Sequence, residues 1–110
     1  MVAVDIKNYT GYTIELEDSK KGCRIMSYKR YKEGKELKIT IQPSNKGKYK
    51  RWRITLYNDK GQMKHLTISR LILQHFKPDE WDEKLQADHI DCNSLNNRIN
   101  NLRMITHQQN

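Results

Sequence analysis

Asp88 and His89 stand side by side in the last quarter of the sequence, ahead of an asparagine-rich run that ends at Asn110. A carboxylate can anchor a hard cation, and a neutral imidazole can take a proton from water. Successive strand residues point to opposite sides, so on an extended segment the two can serve different partners. By itself such a pair more often belongs to a solvated loop with an Asx turn. Asn110 narrows the chemistry: its amide oxygen could complete a Mg²⁺ or Mn²⁺ site with Asp88, leaving positions for water and phosphate. These residue types describe metal-assisted hydrolysis of a phosphodiester. His107, one helical turn before Asn110, could contact phosphate or, as a second choice, the metal; a plain surface histidine is the ordinary alternative.

Asn93, Asn96, Asn97, Asn100 and Asn101 fill the stretch between. Asparagine tolerates left-handed backbone and bonds its own main chain, so most of these are read as turn formers. Asn101, directly before Leu102, is the candidate to tie the loop shut and thereby fix His89. That role is support for catalysis and not ligation.

Short strands must carry this set. Leu85 to Asp88 reads as an extended entry and Arg103 to Thr106 as a second strand. Thr106 and Gln109 then fit a capping box, which puts Asn110 in the first turn of a helix. Upstream, Thr67 is a plausible N-cap for a helix through Ile68, Leu71, Ile72 and Phe76, stopped by Pro78. Alternation predicts strands over 12–16, 23–28, 37–41 and 49–57, with Gln62 to Leu66 returning after the Asn58–Gly61 hairpin turn. Lys29 to Glu36 reads as a charged loop, and Pro43 to Gly47 breaks the chain. On the strand over 49–57, Trp52 shares parity with Ile54 and Leu56 and is read as core. Arg51 and Arg53 take the other face and, with Lys50 and Arg30, are the candidate DNA contacts. The fold class is α+β: an N-terminal antiparallel β-sheet, then a short helix, then the segment bearing the candidate site.

Charge divides the chain the same way. Residues 1–66 hold 16 Lys and Arg against 7 Asp and Glu, whereas residues 67–110 hold 5 against 6. The net charge of +8 therefore sits in the first part, where a polyanion is the favoured partner; a lysine-rich surface that only aids solubility is the alternative. The expected organisation is a basic DNA-binding region over 1–66 and a helix plus nuclease motif over 67–110. With 35% hydrophobic residues and a mean hydropathy of −0.99, the core is modest. No apolar run is long enough for a transmembrane helix, and the N-terminus does not read as a signal peptide. Cys23 and Cys92 form no Cys-x-x-Cys pair, which excludes a zinc ribbon; both are read as reduced thiols. The expected setting is the cytoplasm of a bacterial or phage-infected cell, with no membrane, no obligate protein partner, and a monomer.

The stretch Asp88-His89-Ile90-Asp91-Cys92-Asn93 through Asn101-Leu102-Arg103 to Asn110 resembles the signature of HNH endonucleases, in the form common in phage-borne and homing nucleases. The resemblance is fair over 49–78 and faint over 1–48, where Tyr12 to Gly22 and Ser27 to Arg30 look like a small DNA-binding module. It implies a ββα-metal fold with one divalent cation, Asp88 and Asn110 as ligands, His89 as general base and Asn101 as the loop brace. The family's metal-bearing helix runs on past the position of Asn110. The last helix here is therefore expected to be truncated, with either a longer natural chain or a loosely held Asn110. Two residues depart from the pattern. Ser69 stands where histidine is frequent in a His-Arg-Leu run, and is expected to alter DNA or helix contacts. Cys92 stands where glycine is usual, so the turn either needs no positive φ or tolerates strain. The function implied is metal-dependent cleavage of double-stranded DNA to 5′-phosphate and 3′-hydroxyl ends. The rival reading is a non-catalytic DNA-binding protein that keeps the scaffold, and an RNA-directed role ranks last.

Overall fold

Among the described residues, alternation of apolar and polar side chains sorts most of the chain into short antiparallel strands around one α-helix. The computed structural model describes residues 2–43 and 50–106. Four strands, β1 (Val4–Asp5), β2 (Tyr12–Leu16), β3 (Cys23–Ser27) and β4 (Lys35–Glu36), form a first sheet in that order. A second is ordered β5 (Thr40–Pro43), β6 (Lys50–Tyr57) and β7 (Met63–Thr67). Helix α1 (Ile68–Phe76) follows, and then a two-stranded hairpin of β8 (Gln86–His89) and β9 (Leu102–Ile105).

The N-terminal strands thus divide between two sheets, and the switch explains the one displaced strand. A strand was expected over 37–41, but it begins at Thr40. Leu37 still donates its amide to Ile25 O at 2.8 Å, at the edge of the first sheet. The chain crosses to the second sheet immediately afterwards, and Ile39 drops into the core on the way. The charged loop over 29–36 likewise ends in β4, whose Lys35 and Glu36 pair with Ser27 and Met26.

Strand β6 shows the expected parity. Ile54 and Leu56 are buried, Thr55 and Tyr57 are exposed, and Trp52 packs half-buried against the core. Helix α1 lays Ile68, Leu71, Ile72 and Leu73 onto the same core, which also takes Ile14 and Ile25 from the first sheet and Leu102 from β9. Each such side chain contributes roughly 1.5–3 kcal/mol by leaving water. The expected regional boundary at residues 66–67 falls at the end of β7, and residues from both sides enter this one core.

Thr67 occupies the N-cap position of α1, but its hydroxyl makes no capping bond. The reason is its second duty as the last residue of β7, paired with Arg53. Two basic side chains of the helix region bracket the hairpin. Arg70 donates to the carbonyls of Leu85 and Glu83 at 2.9 and 3.1 Å, and Lys77 Nζ donates to Leu102 O at 2.8 Å. The start of β8 and the start of β9 are thereby fixed to the same short helix.

Candidate active site

The hairpin register places Asp88 opposite Arg103 and His89 opposite Leu102. Between the strands, residues 90–101 contain no strand and only a single 3₁₀ turn at Ile99–Asn101. Polar side chains do the work a ladder would do elsewhere. Asn101 Oδ1 accepts the Asp91 amide at 3.0 Å, while its Nδ2 donates to Asp91 Oδ1 and to Asn96 O, each at 2.8 Å. Its main-chain oxygen accepts the amide of Ile90, the residue after His89, at 2.9 Å. Asp91 also accepts from Asn96 Nδ2 at 2.9 Å and from the Asn93 amide at 2.8 Å. The Asn96 amide, the Asn93 N–H and the Asn101 amide together hold the Asp91 carboxyl well down, to about 2.

Cys92 turns this loop with φ +64°. The left-handed conformation is therefore required here, and of the two expectations for Cys92 the strained one holds. A side chain with a Cβ costs about 1 kcal/mol more than glycine in that region. Cys92 is exposed and Cys23 buried, and both are free thiols. Burial pushes the Cys23 thiol up to about 12.

The loop is also gripped from outside. Trp52 Nε1 donates to Leu95 O at 2.9 Å, and Ser94 Oγ donates to Lys50 O. On another side, the Asn97 amide donates to Lys20 O at 2.7 Å, and Arg98 pairs with Asp18 at 3.1 Å. Asn97 is 1% exposed, and its Oδ1 lies 2.7 Å from His89 Nε2. Reading the asparagines as turn formers misses this residue. Nothing in its type or spacing separates it from Asn96, and only burial does.

His89 lines a groove of about 600 Å³ together with Lys50, Arg51, Arg70, Ser69 and Ser94. Two of the four expected DNA contacts, Lys50 and Arg51, therefore flank the histidine. Arg30 lies in a different cleft of about 630 Å³ with Lys29, Tyr31, Lys35 and Tyr57. Arg53 lines neither. Ser69 is buried at the start of α1, where it forms part of the groove wall.

Asp88 Oδ2 accepts from Arg103 Nε at 2.8 Å, and its side chain keeps 25% exposure. A partly exposed carboxylate fits a hard cation that takes most of its remaining ligands from water and phosphate, as Mg²⁺ does. Among the described residues no three His, Cys, Asp or Glu side chains cluster to hold a metal. Asp88 would thus be a ligand in a sparse set. The expected second ligand, Asn110, and the expected phosphate contact, His107, lie outside the described residues. Among the described residues, no helix is long and apolar enough to cross a membrane.

Comparison with known proteins bears on the fold and the family. Residues 67–110 match the family of HNH endonucleases. A solved structure reported for DNA binding and cleavage by the HNH homing endonuclease I-HmuI superposes with a TM-score of 0.70 at 32% identity. The match covers 99% of this chain and 55% of that one, so the chain spans about half the length of that relative. No curated protein sequence matches the chain.

Proposed function

We propose, from the HNH endonuclease match over residues 67–110 and the likeness to the HNH homing endonuclease structure, that the chain is a metal-dependent DNA endonuclease releasing 5′-phosphate and 3′-hydroxyl ends. The observation that carries the reading is His89 at the wall of a groove flanked by Lys50, Arg51 and Arg70, with Asp88 as its neighbour in β8. Cationic side chains beside the imidazole favour a phosphodiester there over a neutral substrate.

His89 takes a proton from a water whose oxygen attacks phosphorus. The bond from phosphorus to the 3′ oxygen breaks, and that oxygen leaves with the bonding pair and takes a proton from solvent water to become the 3′-hydroxyl. Asp88 and Asn110 would hold the cation, Mg²⁺ or Mn²⁺, which when bound supplies charge stabilisation to the phosphate and the leaving oxygen. Asn101 keeps the loop after His89 closed, so the histidine backbone is held between a strand and a hydrogen-bonded turn. Lys50 and Arg51 position the DNA backbone in the groove. Arg30 and the rest of the basic N-terminal region extend the contact to double-stranded DNA.

The test is nicking of supercoiled plasmid by the 110-residue chain with Mg²⁺ or Mn²⁺. Cleavage is expected with either cation and is expected to stop on chelation. Full activity in His89→Ala would remove the assigned base. DNA binding without cleavage under any divalent ion would favour the scaffold reading.

A further inference from the structure

Five asparagines crowd the loop after His89, and one of them differs from the rest in its surroundings. Asn97 is the buried one, at 1% exposure. Burying an amide side chain costs free energy unless its polar atoms find partners, so its setting needs a reason that loop closure by Asn101 does not supply. We infer that Asn97 is the positioning residue for His89, seated from behind by the Glu17–Gly22 turn of the N-terminal sheet.

The seat is built from main chain. Lys20 O accepts the Asn97 amide at 2.7 Å. Gly22, in left-handed conformation at φ +85°, lies so close that a Cβ there would stand 2.1 Å from the Asn97 carbonyl oxygen. The turn itself is closed by Glu17 N to Gly22 O and Gly22 N to Ser19 O, both 3.0 Å. Arg98 to Asp18, 3.1 Å, adds an exposed ion pair beside it, which contributes little by itself. Asn97 can therefore hardly move without displacing the first sheet.

From that seat, Asn97 Oδ1 meets His89 Nε2 at 2.7 Å. An amide oxygen only accepts, so the bond requires the proton on Nε2. A neutral imidazole carries one N–H, which leaves the lone pair on Nδ1. The side chain thus selects both the orientation of the ring and the nitrogen that receives a proton. This inference rests on the reading of His89 as base, and it makes the basic N-terminal sheet part of the machinery that aims it.

The direct test is nitrogen-15 NMR of the His89 ring in the metal-free chain, at a pH where the ring is neutral. A protonated Nε2 whose hydrogen exchanges slowly with water is expected. A neutral ring protonated on Nδ1 would overturn the inference whatever the activity, whereas full activity of His89→Ala would remove the base and leave the ring geometry standing. In Asn97→Leu the protected hydrogen should vanish and kcat should fall about 100-fold, with KM for DNA unchanged. Asn97→Asp, which keeps an acceptor oxygen, should restore both in part. Gly22→Ala should move the same signal and kcat in the same direction while retaining a cooperative melt. An untouched signal and kcat in that variant would overturn the seating by the turn.

Discussion

Two basic clefts of nearly equal size open on this small protein, and they are built to different plans. One, about 600 Å³, sets Lys50, Arg51 and Arg70 around His89. The other, about 630 Å³, sets Lys29, Arg30 and Lys35 among Tyr12, Tyr31 and Tyr57. In the second, cations lie over rings: Lys29 sits 4.9 Å from the Tyr12 centroid and Lys35 5.2 Å from that of Tyr31. Both suit a polyanion, yet the first has an imidazole with a carboxylate beside it in sequence. Under the proposed function, positive charge would draw DNA to both clefts, and of these two only the one at the hairpin holds an imidazole to accept a proton.

The strongest way to break this comparison is His89→Ala. Cleavage should fall about 10²–10⁴-fold while DNA affinity stays within a factor of a few, measured by nicking and by gel shift. Next, Arg51→Ala should lower both cleavage of bound DNA and affinity, whereas Arg30→Ala should lower affinity alone. Each lost phosphate contact should flatten the slope of log affinity against log salt by about 0.9. Equal effects on single-turnover cleavage by the two variants would erase the distinction between the clefts.

Smaller changes probe the loop that separates the plans. Asn101→Ala strands its partners at Asp91 and Asn96 and should lower stability by about 1–3 kcal/mol, read as a lower Tm. Asp91 has a folded carboxyl held below its ordinary value of 3.8, at about 2. Its contribution is therefore complete above about pH 4 and is lost as pH falls through about 2. A Tm profile of Asp91→Asn should lack that acid component. Smallest of all, Cys92→Gly should raise stability by about 1 kcal/mol or less by removing the left-handed strain. A loss of stability would show that the thiol has a packing role.

Much of this could be read from residue order, and the limit is physical. Strand β6 was legible because burial of Ile54 and Leu56 leaves a period of two, and α1 because Leu71 and Ile72 return with the helical period. Asp88 and His89 are legible as candidates only together with the asparagine-rich stretch to Asn110, since alone such a pair reads as a loop. The split into two sheets was not, since Leu37 still bonds to the first sheet and the second begins at Thr40, within one stretch of unbroken alternation. Nor was Asn97, whose difference from Asn96 is the turn from 75 residues earlier that covers it. Local patterns record which face of an element is apolar. They do not record which distant turn comes to rest on it.

Each of the two tryptophans of the chain touches a group beside the groove, since Leu95 follows Ser94 and Arg70 lines it. Trp52 donates its indole N–H to Leu95 in the loop, and Trp81 lies under the Arg70 guanidinium, 4.7 Å from ring centroid to carbon. Indole emission responds to hydrogen bonding and to a nearby cation. The protein therefore carries its own optical readout: loop release should alter the Trp52 signal, and capture of a phosphate by Arg70 should alter that of Trp81. With Trp81→Phe or Trp52→Phe as references, stopped-flow fluorescence could time DNA entry separately from loop motion without any attached dye.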